Sequence, residues 1–165
     1  MVVAAVLIPL VFAVTSGRPE LAPASIASSC RGTVPTSTVP PGAGFTAAGF
    51  NYGNGRLRAH LYWPHGTIAA GIRPDGGAMA IVNRDGSVSA KVGWWRGLPG
   101  QLKITGRRLD RDARPLRADV PSGYGPRGFQ PTRLTFPTVG CWRVVGTLGP
   151  ARLTFVVRVT KLRPH

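Results

Sequence analysis

The chain has 165 residues, of which 21 are Lys or Arg and 6 are Asp or Glu, for a formal charge of +15. That length holds a leader and one domain of about 100–110 residues, and 22 Gly with 16 Pro argue for short strands and turns, not helices. The charge favours polyanions such as anionic lipid, wall polymers or nucleic acid. A compositional origin explains the same numbers, because 18 of the 21 basic residues are Arg and Ala, Gly and Pro are abundant, as in GC-rich genomes.

Residues 2–14 form an unbroken apolar run containing Pro9. This run is too short for a membrane-spanning helix of about 20 residues and has the length of a secretory h-region. Small residues at Ala22-Pro23-Ala24 or Val14-Thr15-Ser16 offer cleavage sites, and 1–24 is expected to be a signal peptide or an uncleaved N-terminal anchor. The basic residue that normally precedes such a run is missing, so either the true start lies upstream or the segment stays attached. Residues 25–50 are rich in Pro, Ser, Thr and Gly and are expected to form an extended linker.

A domain over 51–161 follows. Leu57, Ala59, Leu61 and Trp63 alternate with Arg56, Arg58, His60 and Tyr62, which predicts a strand with the first set inward and the second outward. Turns at Pro64-His65-Gly66, Pro74-Asp75-Gly76 and Arg84-Asp85-Gly86 recur every ten residues. Glycine at each third position supplies the positive φ that tight reversals need. Strands are expected at 67–72, 78–82 and 87–92, joined as an antiparallel meander. Trp94-Trp95-Arg96-Gly97 ends that block. Further strands are expected at 102–109, 116–120 and 133–136, with 122–128 a glycine-rich loop.

The closing stretch is the clearest in the chain. Trp142, Val144, Gly146 and Leu148 alternate with Cys141, Arg143, Val145 and Thr147. After Gly149-Pro150, Leu153, Phe155, Val157 and Val159 alternate with Arg152, Thr154, Val156 and Arg158. This predicts a hairpin closing an all-β, antiparallel sandwich of eight or nine strands.

The two cysteines, Cys30 and Cys141, predict one disulfide in an exported chain. Cys141 lies opposite Trp142, so the bridge is expected outside the core, strapping the linker over the sheet. The alternative is a lipidated Cys30, against which the preceding Ala27-Ser28-Ser29 lacks a Leu three residues before it.

The run from Gly123 to Gly146, continuing through Leu153 to Val157, resembles a group of small secreted bacterial proteins with the signature GFQ-x3-L-x-FP-x2-GCW-x-V-x-G. The resemblance extends through Tyr52-Gly-Asn-Gly, Trp63-Pro-His-Gly-Thr, Asp85-Gly-Ser, Trp94-Trp95-Arg96-Gly97 and Gly106-Arg-Arg-Leu-Asp110, and includes Cys30. It departs at His65, where the group has aspartate. The resemblance implies an exported immunoglobulin-like sandwich and carries no activity with it.

Chemistry-bearing constellations are sparse. His60 and His65 lack a third metal ligand, and Asp110-Arg-Asp112 lacks the glycine of a calcium loop. No Gly-x-Ser-x-Gly elbow is present, and Asp75, Asp85, Asp110, Asp112 and Asp119 are scattered among turns and arginines. The expectation is therefore a non-catalytic binding or structural module without cofactor or metal, with an enzyme of dispersed site as the remotest alternative. Trp94, Trp95 and Arg96 are candidates for stacking a ligand. Arg56, Arg58, Arg143, Arg152 and Arg158 are candidates for a polyanion-binding face, provided their strands share a sheet. The partners this reading allows are cell-wall or other anionic polymers, without nucleic-acid specificity. Membrane contact would come only through the N-terminal segment or a lipid on Cys30.

Overall fold

The computed structural model describes residues 30–36, 50–71 and 78–162. The signal-like segment, most of the linker and the Pro74-Asp75-Gly76 turn lie outside these residues. The described residues form ten strands in two sheets and no helix. The strands are β1 (Asn51–Gly53), β2 (Leu57–His60), β3 (Thr67–Ala70), β4 (Ala80–Val82), β5 (Val88–Arg96), β6 (Leu102–Arg108), β7 (Arg117–Asp119), β8 (Gly128–Phe136), β9 (Gly140–Leu148) and β10 (Ala151–Lys161).

The first sheet runs β1-β2-β5-β8-β7, with β4 also paired to β5; the second runs β3-β10-β9-β6. All pairings are antiparallel except β3 with β10, which is parallel. Two expectations are corrected here. The strand count is ten, because the short β1 was absorbed into the start of the domain. The meander holds only for its last two strands, since β4 pairs antiparallel with β5, whereas β3 leaves the first sheet to pair with β10, and β2 bonds to β5. Turn spacing records where the chain reverses and does not record which sheet it re-enters. Strand β8 also begins at Gly128, five residues before the expected Arg133, since Pro131 sits within it opposite Gly93 without ending it.

The core forms where the inward rows of the two sheets meet. Trp94, Trp142, Tyr52, Phe136 and Phe155 are its largest fully buried side chains. Phe155 of the second sheet stacks on Tyr52 of the first with ring centroids 5.1 Å apart, and lies 6.1 Å from Trp94. Trp142 meets Phe136 edge-on at 5.5 Å. Side chains of this size each remove a large apolar area from water, at about 25 cal/mol per Å². The indole nitrogens are satisfied in place: Trp94 donates to Thr132 Oγ1 at 3.1 Å and Trp142 to the Thr138 carbonyl at 3.0 Å. Glycine at 146 is a packing requirement, because a Cβ there would collide with the edge of the Trp94 ring.

The hairpin forms as its alternation predicts. Trp142, Val144, Leu148, Leu153, Phe155, Val157 and Val159 are all buried, and Leu148 pairs with Ala151 across the two-residue turn Gly149-Pro150. Cys141 is bonded to Cys30 with a Cα separation of 5.4 Å, an ordinary spacing for a disulfide. The bridge sits outside the apolar core cluster. From Cys30 the chain reaches the edge of β10, where the Thr33 amide donates to the Val156 carbonyl at 3.0 Å and the Val156 amide donates to Thr33 Oγ1 at 2.8 Å. It then crosses to the first sheet, where the Thr36 amide donates to the Asn51 carbonyl at 2.7 Å. Seven residues thus tie one side of the sandwich shut. Closing a loop between residues 111 apart in sequence stabilises a fold by about 4–5 kcal/mol on loop-entropy grounds.

Candidate functional site

The outward side of the second sheet is the most distinctive surface among the described residues. Its rows follow from register, since Cα partners in neighbouring strands project to the same side. Lys103 of β6 aligns with Thr147 of β9 and Arg152 of β10. Thr105 aligns with Val145 and Thr154, and Arg107 with Arg143 and Val156. The next row brings Cys141 beside Arg158 and Thr67. Five cations therefore share one face: Lys103, Arg107, Arg143, Arg152 and Arg158. All are exposed except Arg143, which is half-buried. Between them stand threonines and valines, and these rows contain no Asp or Glu. Arg107 lies directly opposite Arg143, a like-charge pairing that costs a sheet stability.

The outward side of the first sheet differs. Lys91 and Arg133 are exposed there, but Arg133 is paired in register with Asp119. Nearer β2, the surface is closed. Arg58 is 2% exposed and His60 9%, although the alternation of β2 predicts both to face solvent. His60 Nδ1 is 3.0 Å from Asn51 Oδ1, and its ring meets Tyr62 edge-on at 5.0 Å. Burial pushes the His60 imidazole below its ordinary value and does the same to the Arg58 guanidinium. Parity assigns these residues to the outer face correctly; the burial of that face is what the sequence does not show.

The five arginines proposed from sequence are consequently divided. Arg143, Arg152 and Arg158 come together on the second sheet. Arg58 belongs to the first sheet, and Arg56 lies in the turn before β2, exposed and outside any strand. Lys103 and Arg107 were missed, though they alternate with Leu102 and Ile104 in the same manner. Placing them required the β6–β9 register, which no local pattern supplies.

The stacking cluster does not assemble either. Trp94 is fully buried in the core, Trp95 is half-exposed on the opposite side of β5, and Arg96 follows Trp94 inward and is 4% exposed. Alternation separates Trp95 from both neighbours. Arg96 donates through Nη2 to the Gly125 carbonyl, anchoring the loop before β8.

The carboxylates are occupied locally. Asp85 Oδ1 accepts from the Ser87 hydroxyl at 2.6 Å and the Ser87 amide at 3.0 Å, and these bonds hold its pKa below the usual carboxylate range. Asp110 takes a two-pronged bond from Arg108 at 2.6 and 3.1 Å, which lowers its pKa in the same way. Among the described residues no three His, Cys, Asp or Glu side chains gather as metal ligands, and no helix is long and apolar enough to cross a membrane.

No family model matches the chain, and no curated protein or solved structure is significantly similar to it.

Proposed function

We propose that this protein is an exported, non-catalytic β-sandwich of the immunoglobulin-like kind that holds an anionic polymer against the outer face of its second sheet. The observation that carries this reading is the five-cation face of β6, β9 and β10, which has no carboxylate in its rows. Electrostatic attraction to a linear polyanion is additive over such a face and needs no shaped pocket. Threonine hydroxyls between the cations offer further hydrogen bonds to phosphate, sulfate or carboxylate oxygens.

Export is supported by the Cys30–Cys141 bond, since disulfides persist in oxidising compartments, and by the signal-like run at 2–14. The bond also commits the Cys30 sulfur, which favours the strap over a lipid anchor. A binding role is supported over a catalytic one by the local engagement of Asp85 and Asp110 and the oxidation of both cysteines. The residues shared with the small secreted bacterial group support placing the chain beside those proteins. One departure from antibody domains goes with this: their disulfide joins the two sheets behind a buried Trp, whereas here Trp94 is buried without it.

The test uses long-chain inorganic polyphosphate as the probe. Titrated into isotope-labelled protein, it should shift the amides of β6, β9 and β10, and binding should weaken steeply as salt is raised. Shifts spread evenly over the surface would contradict the reading.

A further inference from the structure

Four of the seven large apolar side chains exposed among the described residues lie at one end of the sandwich: Ile81 at 51%, Val82 at 43%, Leu162 at 38% and Val139 at 37%. Register places them together. In the first sheet Val82 of β4 aligns with Val88 of β5 and Phe136 of β8, the last row on that side. In the second sheet Ala70 aligns with Lys161 and Gly140 with Val159, and residues 137–139 join the two ends. The Gly71 amide donates to the Ala80 carbonyl at 3.0 Å and the Leu162 side chain packs on Gly71, which brings Leu162 to the same corner as β4. From Val82 to Phe136 is two strand spacings, about 10 Å, and Val139 follows in the next turn. Scattered apolar exposure is ordinary, whereas such residues gathered in one place mark an interaction surface.

Cations surround these residues. Arg84 sits in the turn after β4, Arg111 and Arg114 in the loop after β6, Arg117 opens β7 and Lys161 closes β10, and all five are exposed. The loop after β6 is held at this end by the Leu109 amide, which donates to the Cys141 carbonyl at 2.8 Å. With Arg108, six cations stand against three carboxylates, Asp85, Asp110 and Asp112. Asp110 is already bound by Arg108, and Asp85 by Ser87. The end is therefore apolar at its tips and positive around them. Cys30, bonded to Cys141 beside Gly140, is held here too, so the part of the chain that carries the apolar run at 2–14 enters the domain at this end.

We infer that this end of the sandwich docks the domain on an anionic lipid surface, with Ile81, Val82, Val139 and Leu162 entering the headgroup layer. Apolar side chains gain by leaving water for the boundary of the acyl chains, and the cations around them are drawn to lipid phosphates. A lipid surface satisfies both sets of groups at once, because it places its charge outside its apolar interior. A second copy of the chain does not, since two such ends brought together oppose cation to cation. The inference is independent of the five-cation face, which lies on the broad side of the second sheet and has no exposed aliphatic cluster at its edge.

The experiment measures partition of the full chain onto vesicles of phosphatidylcholine and phosphatidylglycerol in equal parts, against vesicles of phosphatidylcholine alone. The anionic vesicles should bind it about tenfold more tightly at low salt. Nitroxide-labelled lipid in bicelles of the same composition should broaden the amides of Val82, Arg84, Val139 and Leu162 before those of Tyr124 and Gly149 at the other end. Ile81→Ser with Val82→Ser, both at exposed positions, should weaken partition about tenfold, while Tyr124→Ser, equally exposed but at the far end, should leave it unchanged. Equal binding to the two kinds of vesicle would overturn the inference, as would an unchanged Ile81→Ser/Val82→Ser variant or an equal loss in Tyr124→Ser. Broadening centred on β6, β9 and β10 would assign lipid binding to the five-cation face instead, and broadening absent from the domain would assign it to the N-terminal run; either result overturns the docking end. Self-association without lipid that protects Val82 would give the surface to a second copy, with the same consequence. The vesicle and broadening comparisons use the unmodified protein, so they decide the matter even if the double variant does not fold.

Discussion

Strands β2 and β10 are written in the same alphabet, apolar residues alternating with basic ones, and they end in opposite situations. In β10 the inward residues Leu153, Phe155, Val157 and Val159 are buried while Arg152 and Arg158 stand in solvent. In β2 all four residues, Arg58 and His60 included, are buried. Alternation identifies the two sides of a strand but says nothing about what lies over the outer one. An arginine at an outward position is therefore a surface charge in one strand and part of a closed polar layer in the other.

On the inward side the two sheets depend on the same core, and the largest effect is expected there. Phe155→Ala removes the ring that contacts both Tyr52 and Trp94 and should destabilise the fold by about 3–5 kcal/mol, measured by urea unfolding. The outward arginines should then separate the strands. Arg58→Ser should cost about 1–3 kcal/mol, as expected for breaking a buried polar arrangement. Arg152→Ser should stay within about 0.5 kcal/mol, as for an exposed position. Equal costs would mean that β2 is as open as β10.

Acid should affect the two faces differently as well. Because burial pushes the His60 pKa down, the fold keeps the ring neutral while the unfolded chain takes up a proton below about pH 6.5. The stability contributed is complete above that pH and is lost as the pH falls through and beneath it. His60→Gln should flatten the decline between about pH 6.5 and 5, seen in unfolding midpoints across that window. The smallest effect belongs to the exposed face: Arg107→Thr removes the like-charge pairing with Arg143 and should raise stability by about 0.2–1 kcal/mol at low salt. Unchanged or lower stability would show that the pair is not strained.

The closing hairpin was legible in the sequence because every signal agreed on it: period-two alternation, a two-residue turn at Gly149-Pro150, and branched or aromatic residues inward. The disulfide was legible because two cysteines, Cys30 and Cys141, have one pairing to make within the chain. The transfer of β3 to the second sheet was not legible, since its parallel bonds to β10 join Thr67 to Arg158, residues far apart in the chain. The composition of the basic face failed for the same reason. Arg143, Arg152 and Arg158 were found through the hairpin, whose register is local, whereas Lys103 and Arg107 enter through the β6–β9 pairing, which is not. Arg96 was singled out for stacking a ligand, but its burial was not legible, and neither was that of Gln130, because both follow from which side of β5 and β8 the core lies on.

A charge-matched comparison of polyphosphate binding as a function of salt bears most directly on the basic face. One variant carries Arg107→Ser, Arg143→Ser and Arg152→Ser; the other carries Arg84→Ser, Arg111→Ser and Arg127→Ser, three exposed positions outside that face. Each loses three charges. The first should bind at least tenfold more weakly and show a shallower dependence of log affinity on log salt, as fewer counterions are released, while the second should keep nearly the parent slope. Equal losses in the two variants would contradict a dedicated face and leave the arginines as diffuse background charge.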